Sequence, residues 1–181
     1  MLPDMFQNSP LIHKGERLDI HTVNLPGSTK DAPIKRELIV HPGAVVILPM
    51  IDERHVVMIR NERYAVGETL WELPAGTLEP QEESIESCAS RELVEETGYR
   101  SRSITKLIEF YSAPGFCTEL LHVFVAKDLE HVGQELDECE RITVEVTPIE
   151  QVVEMIQDNR IRDAKTIATI LYYQTFTGNN D

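Results

Sequence analysis

Three glutamates, Glu92, Glu95 and Glu96, stand close together in a segment whose composition favours a helix. At about 100° per residue, Glu95 and Glu96 both fall within about 60° of Glu92 on a helical wheel. Like charges at these spacings repel each other by a few tenths of a kcal/mol on an exposed helix. Two interpretations follow: a solvated helix face, or a site that uses carboxylates.

The three carboxylates continue the apolar side of this helix. Ile85, Cys88 and Ala89 fall on the same arc of the wheel, and Leu93 lies at its edge. Burying unpaired carboxylates is costly, and a divalent cation removes that cost. Sites rich in carboxylate oxygen suit Mg²⁺, Mn²⁺ or Ca²⁺. The arc therefore predicts a metal site on the inward face of the helix.

The elements around this helix indicate a mixed α/β domain. Residues 44–50, Ala-Val-Val-Ile-Leu-Pro-Met, are continuously apolar and predict a strand buried on both faces. Gly98 is a natural stop for the glutamate helix. Residues 1–15 predict a loose terminus. The other predicted elements are strands over residues 15–24, 34–41, 55–61, 69–74, 104–112, 120–128 and 141–147, and helices over 83–97 and 148–159.

A last helix is predicted after Asp163, which can cap it. Its apolar side is expected to comprise Ile167, Ile170, Leu171 and Tyr173. The first strands predict an N-terminal β-hairpin lobe over residues 1–42, followed by one larger α/β domain over residues 43–181.

Composition excludes several classes of protein. The 181 residues carry a net charge of -14, from 17 basic and 31 acidic residues. A nucleic-acid binder normally has a basic face, so nucleic acid is not the expected partner, and an anionic substrate would need help from a cation. No apolar run of about 18 residues predicts a membrane span. The start lacks the pattern of a secretory signal, and Cys88, Cys117 and Cys139 form no CxxC pair, which favours a reducing cytoplasm.

The segment from Gly76 to Tyr99 resembles the Nudix box, whose pattern is Gly, five residues, Glu, seven residues, Arg-Glu-apolar-any-Glu-Glu-any-Gly-apolar. Residues 91–99 match every specified position. One extra residue lies between Gly76 and the arginine. We place it in the loop 78–82, because lengthening a loop by one residue costs little free energy. Either Glu82 or Glu83 then takes the place of the first glutamate.

Flanking residues resemble the ADP-ribose pyrophosphatase branch of this family. Arg63 and Tyr64 precede the approach to the box at residues 68–76, and Pro114 lies sixteen residues beyond Gly98. The resemblance continues through an acidic loop, 135–140, to residues 161–166, and it covers roughly residues 38–175. It implies a Nudix-type α/β/α sandwich with a mixed sheet, and the N-terminal lobe implies a swapped homodimer.

The resemblance also implies a reaction and a set of metal ligands. Water would attack one phosphorus of ADP-ribose, giving AMP and ribose 5-phosphate. Glu92, Glu95, Glu96 and the backbone carbonyl of Ala75 would hold two or three Mg²⁺, with Mn²⁺ as an alternative. Bound metal would neutralise the diphosphate, orient it and acidify water.

Other roles follow from the same resemblance. Arg91 is expected to brace the carboxylates by charge-assisted hydrogen bonds. The general base is expected in the acidic loop, with Glu140 first, Glu138 second and Glu95 as a further candidate.

Substrate contacts are assigned on the same basis. Arg63 and Glu72 are candidates for the nucleotide part of the substrate, and Pro114 for a substrate loop. A GDP-mannose or other nucleotide-sugar pyrophosphatase is the nearest rival reading, and a non-catalytic nucleotide-sugar sensor is an alternative of another kind.

Overall fold

A computed structural model describes residues 9–15, 18–25, 34–79, 84–138 and 140–177. Glu82, Glu83 and Cys139 lie outside this part, so the identity of the first box glutamate stays open. The described residues form β1 (Leu11–Lys14), β2 (Asp19–Leu25), β3 (Ile34–Val40), β4 (Ala44–Pro49), β5 (His55–Arg63), β6 (Glu68–Glu72), β7 (Ala75–Thr77), α1 (Ile85–Thr97), β8 (Tyr99–Tyr111), β9 (Leu120–His131), β10 (Ile142–Pro148), α2 (Ile149–Gln157) and α3 (Ala164–Phe176).

The N-terminal lobe is a small antiparallel sheet in the order β1-β2-β3. Strands β2 and β3 pair from Asp19 opposite Val40 to Leu25 opposite Ile34, as the predicted hairpin requires. The prediction of a loose terminus is wrong for β1, which pairs with β2. Four residues carry too few alternations for periodicity to identify a strand.

Two sheets form the body of the chain. A mixed sheet has the order β7-β4-β9-β8, in which β4 and β9 run parallel, and an antiparallel sheet has the order β10-β5-β6. Strand β4 is buried on both faces, as predicted: Val45 and Ile47 pack on the side of α1, and Val46 and Leu48 pack on the side of α2 and α3. Helices on both faces of a mixed sheet confirm the predicted α/β/α sandwich.

Two predicted strands have different limits in the structure. The strand predicted over 69–74 ends at Glu72, and residues 75–77 form the separate strand β7. Pro74 lies between them, and because it has no N–H it cannot continue a ladder. Strand β8 begins at Tyr99 rather than at residue 104, since the polar start of this strand carries no apolar alternation.

Helix α1 begins and ends where its capping residues lie. The Ser84 side chain accepts a hydrogen bond from Ser87 N–H, and Gly98 ends the helix in the left-handed region at φ 73°. In α3 the predicted cap Asp163 accepts from Thr166 N–H. The predicted apolar side of α3 is wrong at Leu171, which is exposed.

The lobe is attached to the loop between β8 and β9. Ile39 N–H donates to Phe116 O at 2.8 Å, and Thr118 N–H donates to Ile39 O at 3.0 Å. The main chain of His41 also bonds the Thr118 hydroxyl. No helix in the described part of the chain is both long and apolar enough to cross a membrane.

Candidate active site

Helix α1 directs two of its three clustered glutamates inward. Glu96 is 3% exposed, and the Glu92 side chain is 12% exposed. The Glu95 side chain is 32% exposed and lies at the margin. Cys88 and Ala89 are buried on the same side, so the helical wheel places the carboxylates correctly for two residues and less well for the third.

Strand β7 lies directly against these carboxylates. Ala75 N–H donates to Glu96 Oε2 at 2.8 Å. A Cβ atom on Gly76 would lie 1.8 Å from Glu92 Cδ, so the Glu92 side chain would have to leave its present position. Glycine at this position is therefore what lets the strand approach the carboxylate so closely.

The carbonyl of Ala75 faces the same way as its N–H. Ile47 N–H bonds Pro74 O, and Leu78 N–H bonds Gly43 O, so the residues on either side of this position bond β4 in the alternating antiparallel pattern. Ala75 consequently occupies a non-hydrogen-bonded position relative to β4. Both of its main-chain polar groups point to the outer edge of β7, where the carboxylates of α1 lie.

Burial and neighbouring charges perturb the acidities of these groups. Burial raises the pKa of Glu92 to about 7, with Arg91 opposing and Glu95 adding to the shift. Burial raises the pKa of Glu96 to about 8, although the bond from Ala75 N–H opposes it. Both carboxyls are therefore poorly compensated for charge.

Arg91 contacts two of the three carboxylates. Its Nη1 lies 3.0 Å from Glu92 Oε1 and 2.6 Å from Glu95 Oε2. Burial alone would lower the pKa of Arg91, but these two carboxylates raise it above its ordinary value. The Arg91 guanidinium therefore pairs with carboxylates of its own helix.

The acidic loop is attached to the C-terminal end of α1. Glu135 N–H donates to Glu95 O at 3.1 Å, and Gln134 Nε2 donates to Glu96 O at 2.6 Å. These bonds bring the loop after β9 to the edge of the carboxylate cluster.

The two candidate bases of this loop differ in position. Glu140 lies on the wall of the same cleft as the α1 carboxylates, and its charge contributes to the raised pKa of both Glu92 and Glu96. Glu138 is exposed and is not a wall residue of that cleft.

Arg63 and Glu72 contact each other. Arg63 Nε and Nη2 donate to the two carboxylate oxygens of Glu72 at 2.8 and 2.7 Å. Lys165 Nζ donates to the same carboxylate, which is 1% exposed. Burial alone would raise the pKa of Glu72, but Arg63 and Lys165 lower it. Lys165 was not predicted, because no local pattern connects residues 93 positions apart.

Two cavities meet at β7. The larger, about 840 Å³, is lined by the carboxylates, the acidic loop and the lobe residues Lys14, Asp19 and His41. The smaller, about 500 Å³, includes Lys165. Arg63 lines both cavities. Sequence reasoning missed the lobe residues, whose role in the wall depends on tertiary packing.

Pro114 does not share these surroundings. It is exposed on the turn at residues 114–116 and belongs to the wall of neither cavity. Its place in the chain matches the branch pattern, but the structure does not bring it together with the other predicted site residues.

The donor set fits an oxygen-preferring divalent cation. Glu96 is buried and Glu92 is largely so, the pKa values of both are raised, and Ala75 directs a carbonyl to the same edge. Within the described residues no three His, Cys, Asp or Glu side chains already converge on one point.

Similar proteins carry the same domain. A family model described as the NUDIX domain matches residues 40–170. An ADP-ribose pyrophosphatase of Bacillus subtilis (strain 168) is 39% identical over 167 residues, which span 90% of this chain and 88% of that relative. A GDP-mannose pyrophosphatase of Escherichia coli O139:H28 (strain E24377A / ETEC) is 34% identical over 169 residues, spanning 86% of this chain and 87% of that relative.

A solved structure agrees on the fold. A crystal structure of an "ADP compounds hydrolase" superposes with a TM-score of 0.80 and covers 93% of this chain and 90% of that chain. Its sequence identity is 23%, so it supports the architecture alone. With the domain match and these relatives, the chain belongs to the Nudix family of hydrolases.

Proposed function

We propose that this enzyme hydrolyses the pyrophosphate bond of ADP-ribose, giving AMP and ribose 5-phosphate, in a reaction that depends on Mg²⁺. The observation that carries the proposal is the pair of inward-facing carboxylates against the edge of β7, Glu96 buried and Glu92 12% exposed. The relatives that act on nucleoside diphosphate sugars support the class of substrate.

Glu92, Glu95, Glu96 and the carbonyl of Ala75 would hold the cation, with two or three Mg²⁺ expected and Mn²⁺ as a substitute. A bound divalent cation supplies charge neutralisation of the diphosphate and a lower pKa for water. Arg91 keeps the glutamates oriented from the same helix by its contacts with two of them.

The hydrolytic step needs one proton acceptor. A water oxygen forms a bond to one phosphorus, the bridging P–O bond breaks, and the water proton passes to the base. Glu140 is our choice for the base, because it shares the cleft with the carboxylates. Glu138 is the second candidate and Glu95 the third.

Arg63, Glu72 and Pro114 are proposed for the rest of the substrate. Arg63 is supported because it lines both cavities. Glu72 would act by holding Arg63, since its own carboxylate is buried and paired. Pro114 retains only the support of the branch pattern.

The first test is a panel of substrates with Mg²⁺ present: ADP-ribose, GDP-mannose, UDP-glucose, NADH and diadenosine polyphosphates. ADP-ribose should give the highest kcat/KM, and Glu96→Gln should lose about a hundredfold or more, because a carboxylate ligand is removed without a change of shape. Arg63→Lys should raise KM with kcat nearly unchanged.

The panel also separates the rival functions. GDP-mannose as the leading substrate would retain the chemistry and overturn the choice of sugar. Binding of a nucleotide sugar without turnover would instead support a sensor.

Exchanging the two loop acids one at a time identifies the base. Glu140→Gln should lower kcat by about 10²- to 10⁴-fold, because the proton acceptor is lost. Glu138→Gln is the matched control and should stay near the wild-type value, as its side chain is exposed. Stopped assays of AMP release measure kcat for both variants. A Glu140→Gln variant with wild-type kcat and an inactive Glu138→Gln variant would assign the base to Glu138 instead.

Stability of the metal-free protein should fall as pH rises. Glu92 and Glu96 have folded pKa values of about 7 and about 8, above their ordinary 4.5, so the folded state holds protons that the unfolded state has lost. Unfolding is therefore favoured increasingly between about pH 5 and about pH 8, by on the order of a few kcal/mol. Thermal melting in a chelator at about pH 6 and about pH 8 measures this.

Mg²⁺ should raise the melting temperature more at the higher pH, where the carboxylates are ionised. The double variant Glu92→Gln, Glu96→Gln is the control and should lose most of both effects. A wild-type melting temperature that is the same at both pH values in chelator would contradict the acidities assigned to these two groups.

A homodimer is proposed for the lobe. Leu11, Ile12, Leu18 and Ile34 are exposed apolar residues in or beside its strands, as a surface that meets another chain requires. Sedimentation velocity should give about twice the chain mass of 20.6 kDa. Ile12→Lys should shift the population toward monomer, whereas Val66→Lys, on an exposed apolar residue outside the lobe, should not; a monomeric wild type would exclude the dimer.

The cytoplasm is the proposed location. Cys117 forms no disulfide within the described residues, which suits a reducing compartment. Fractionation of the producing cells, followed by activity measurement in each fraction, tests this directly, and recovery outside the cytoplasmic fraction would contradict it.

A further inference from the structure

The segment 73–75, Leu-Pro-Ala, joins β6 to β7 and is fixed by three different elements. Its first N–H donates to Thr166 Oγ1 of α3 at 2.8 Å. Its middle carbonyl accepts from Ile47 N–H of β4 at 2.9 Å. Its last N–H donates to Glu96 Oε2 of α1 at 2.8 Å. The segment is therefore where the two helix layers and the sheet meet.

The hydroxyl of Thr166 makes two hydrogen bonds in this junction. It accepts from Leu73 N–H and donates to Asp163 Oδ2 at 2.6 Å. Asp163 Oδ2 also accepts from Thr166 N–H at 3.0 Å, as the cap of α3. Thr166 is 0% exposed, so water cannot replace its hydroxyl as the acceptor for Leu73. The Asp163 carboxylate fixes the Thr166 hydroxyl, and this hydroxyl fixes the segment 73–75 at Leu73.

A separate contact already holds this turn of α3 against β6. Lys165 Nζ donates to Glu72 and, at 3.0 Å, to Asp163 Oδ1. Because this ion pair attaches the helix beside the hydroxyl, removing the hydroxyl alone should leave α3 in place. The bond from Leu73 to Thr166 then serves mainly to set the position of the segment 73–75.

We propose that Thr166 is a positioning residue for the hydrolytic reaction, acting through the segment 73–75 on Glu96. The inference rests on the proposed function, since Glu96 and the Ala75 carbonyl are the ligands assigned there. Without the hydroxyl, a buried Leu73 N–H has no acceptor, and the segment must move to satisfy it. Ala75 moves with it, and the separation between its carbonyl and Glu96 changes.

Replacing Thr166 by Val removes the hydroxyl and keeps the branched shape. Thr166→Val should weaken Mn²⁺ binding by about tenfold, measured by electron paramagnetic resonance without substrate, and lower kcat by a similar factor. KM for ADP-ribose should stay within about twofold, because the hydroxyl does not touch substrate. Hydrogen exchange of the Ala75 amide should become faster. Thr166→Ser should restore all of these values.

Thr169 offers a matched control one turn along α3. It is also 0% exposed, and its hydroxyl has no hydrogen-bond partner among the described residues. Thr169→Val therefore makes the same chemical change without breaking a bond, and it should leave Mn²⁺ affinity, kcat and Ala75 exchange unchanged.

Several outcomes would overturn the positioning role. Equal losses of Mn²⁺ affinity and kcat in Thr166→Val and Thr169→Val would show that the effect comes from the packing of α3. Wild-type Mn²⁺ affinity and Ala75 exchange in Thr166→Val would remove the link to Glu96. A wild-type protein that hydrolyses no nucleotide sugar would instead defeat the proposed function, while the exchange of the Ala75 amide would still decide the positioning role.

Discussion

The burial of two carboxylates on the packed face of one helix is the constraint on which the rest of this site depends. Glu92 and Glu96 lie where an apolar side chain would ordinarily pack, and desolvation raises the pKa of both. Their neighbours are selected by this arrangement. Gly76 leaves Glu92 its place, because a Cβ atom there would displace that side chain, and Ala75 is held so that its N–H bonds Glu96. The strand edge is thus shaped around the carboxylates.

The same helix positions the loop that completes the site. Gly98 ends α1 in the left-handed conformation, and its carbonyl accepts from the N–H groups of Val132 and Gly133 at 2.7 and 3.1 Å. A Cβ atom at Gly98 would lie 2.8 Å from the main chain of Gly133. One glycine therefore both terminates the helix and admits the loop that carries Glu140.

Local patterns in the sequence predicted the parts of this site that local physics determines. The stop of α1 at Gly98 and the cap Asp163 depend on residues within a few turns of one another, and both are confirmed. The inward arc of α1 is equally local and holds for Glu92 and Glu96, whereas Glu95 lies at the margin. The contact of Lys165 with Glu72 spans 93 positions and carries no periodic signal. The short strand β7 was not predicted for another reason. Three residues show no alternation of polar and apolar side chains, and only their pairing with β4 makes them a strand. The error at Leu171 arose because α3 packs the face that carries Thr166, Thr169 and Ile170, and Leu171 lies on another side of the helix.

The net charge of -14 is at first sight unsuited to an anionic substrate. The arginines that reach the cleft do not resolve this, because Arg91 is paired with Glu92 and Glu95, and Arg63 with another buried carboxylate. Both guanidinium groups are occupied by carboxylates of the protein itself, which is a different task from attracting phosphate. Under the proposed function, the diphosphate is attracted by the cations that Glu92, Glu95 and Glu96 bind. An acidic cleft can then accept a diphosphate. Its carboxylates would repel the substrate on their own, but they bind the cations that attract it.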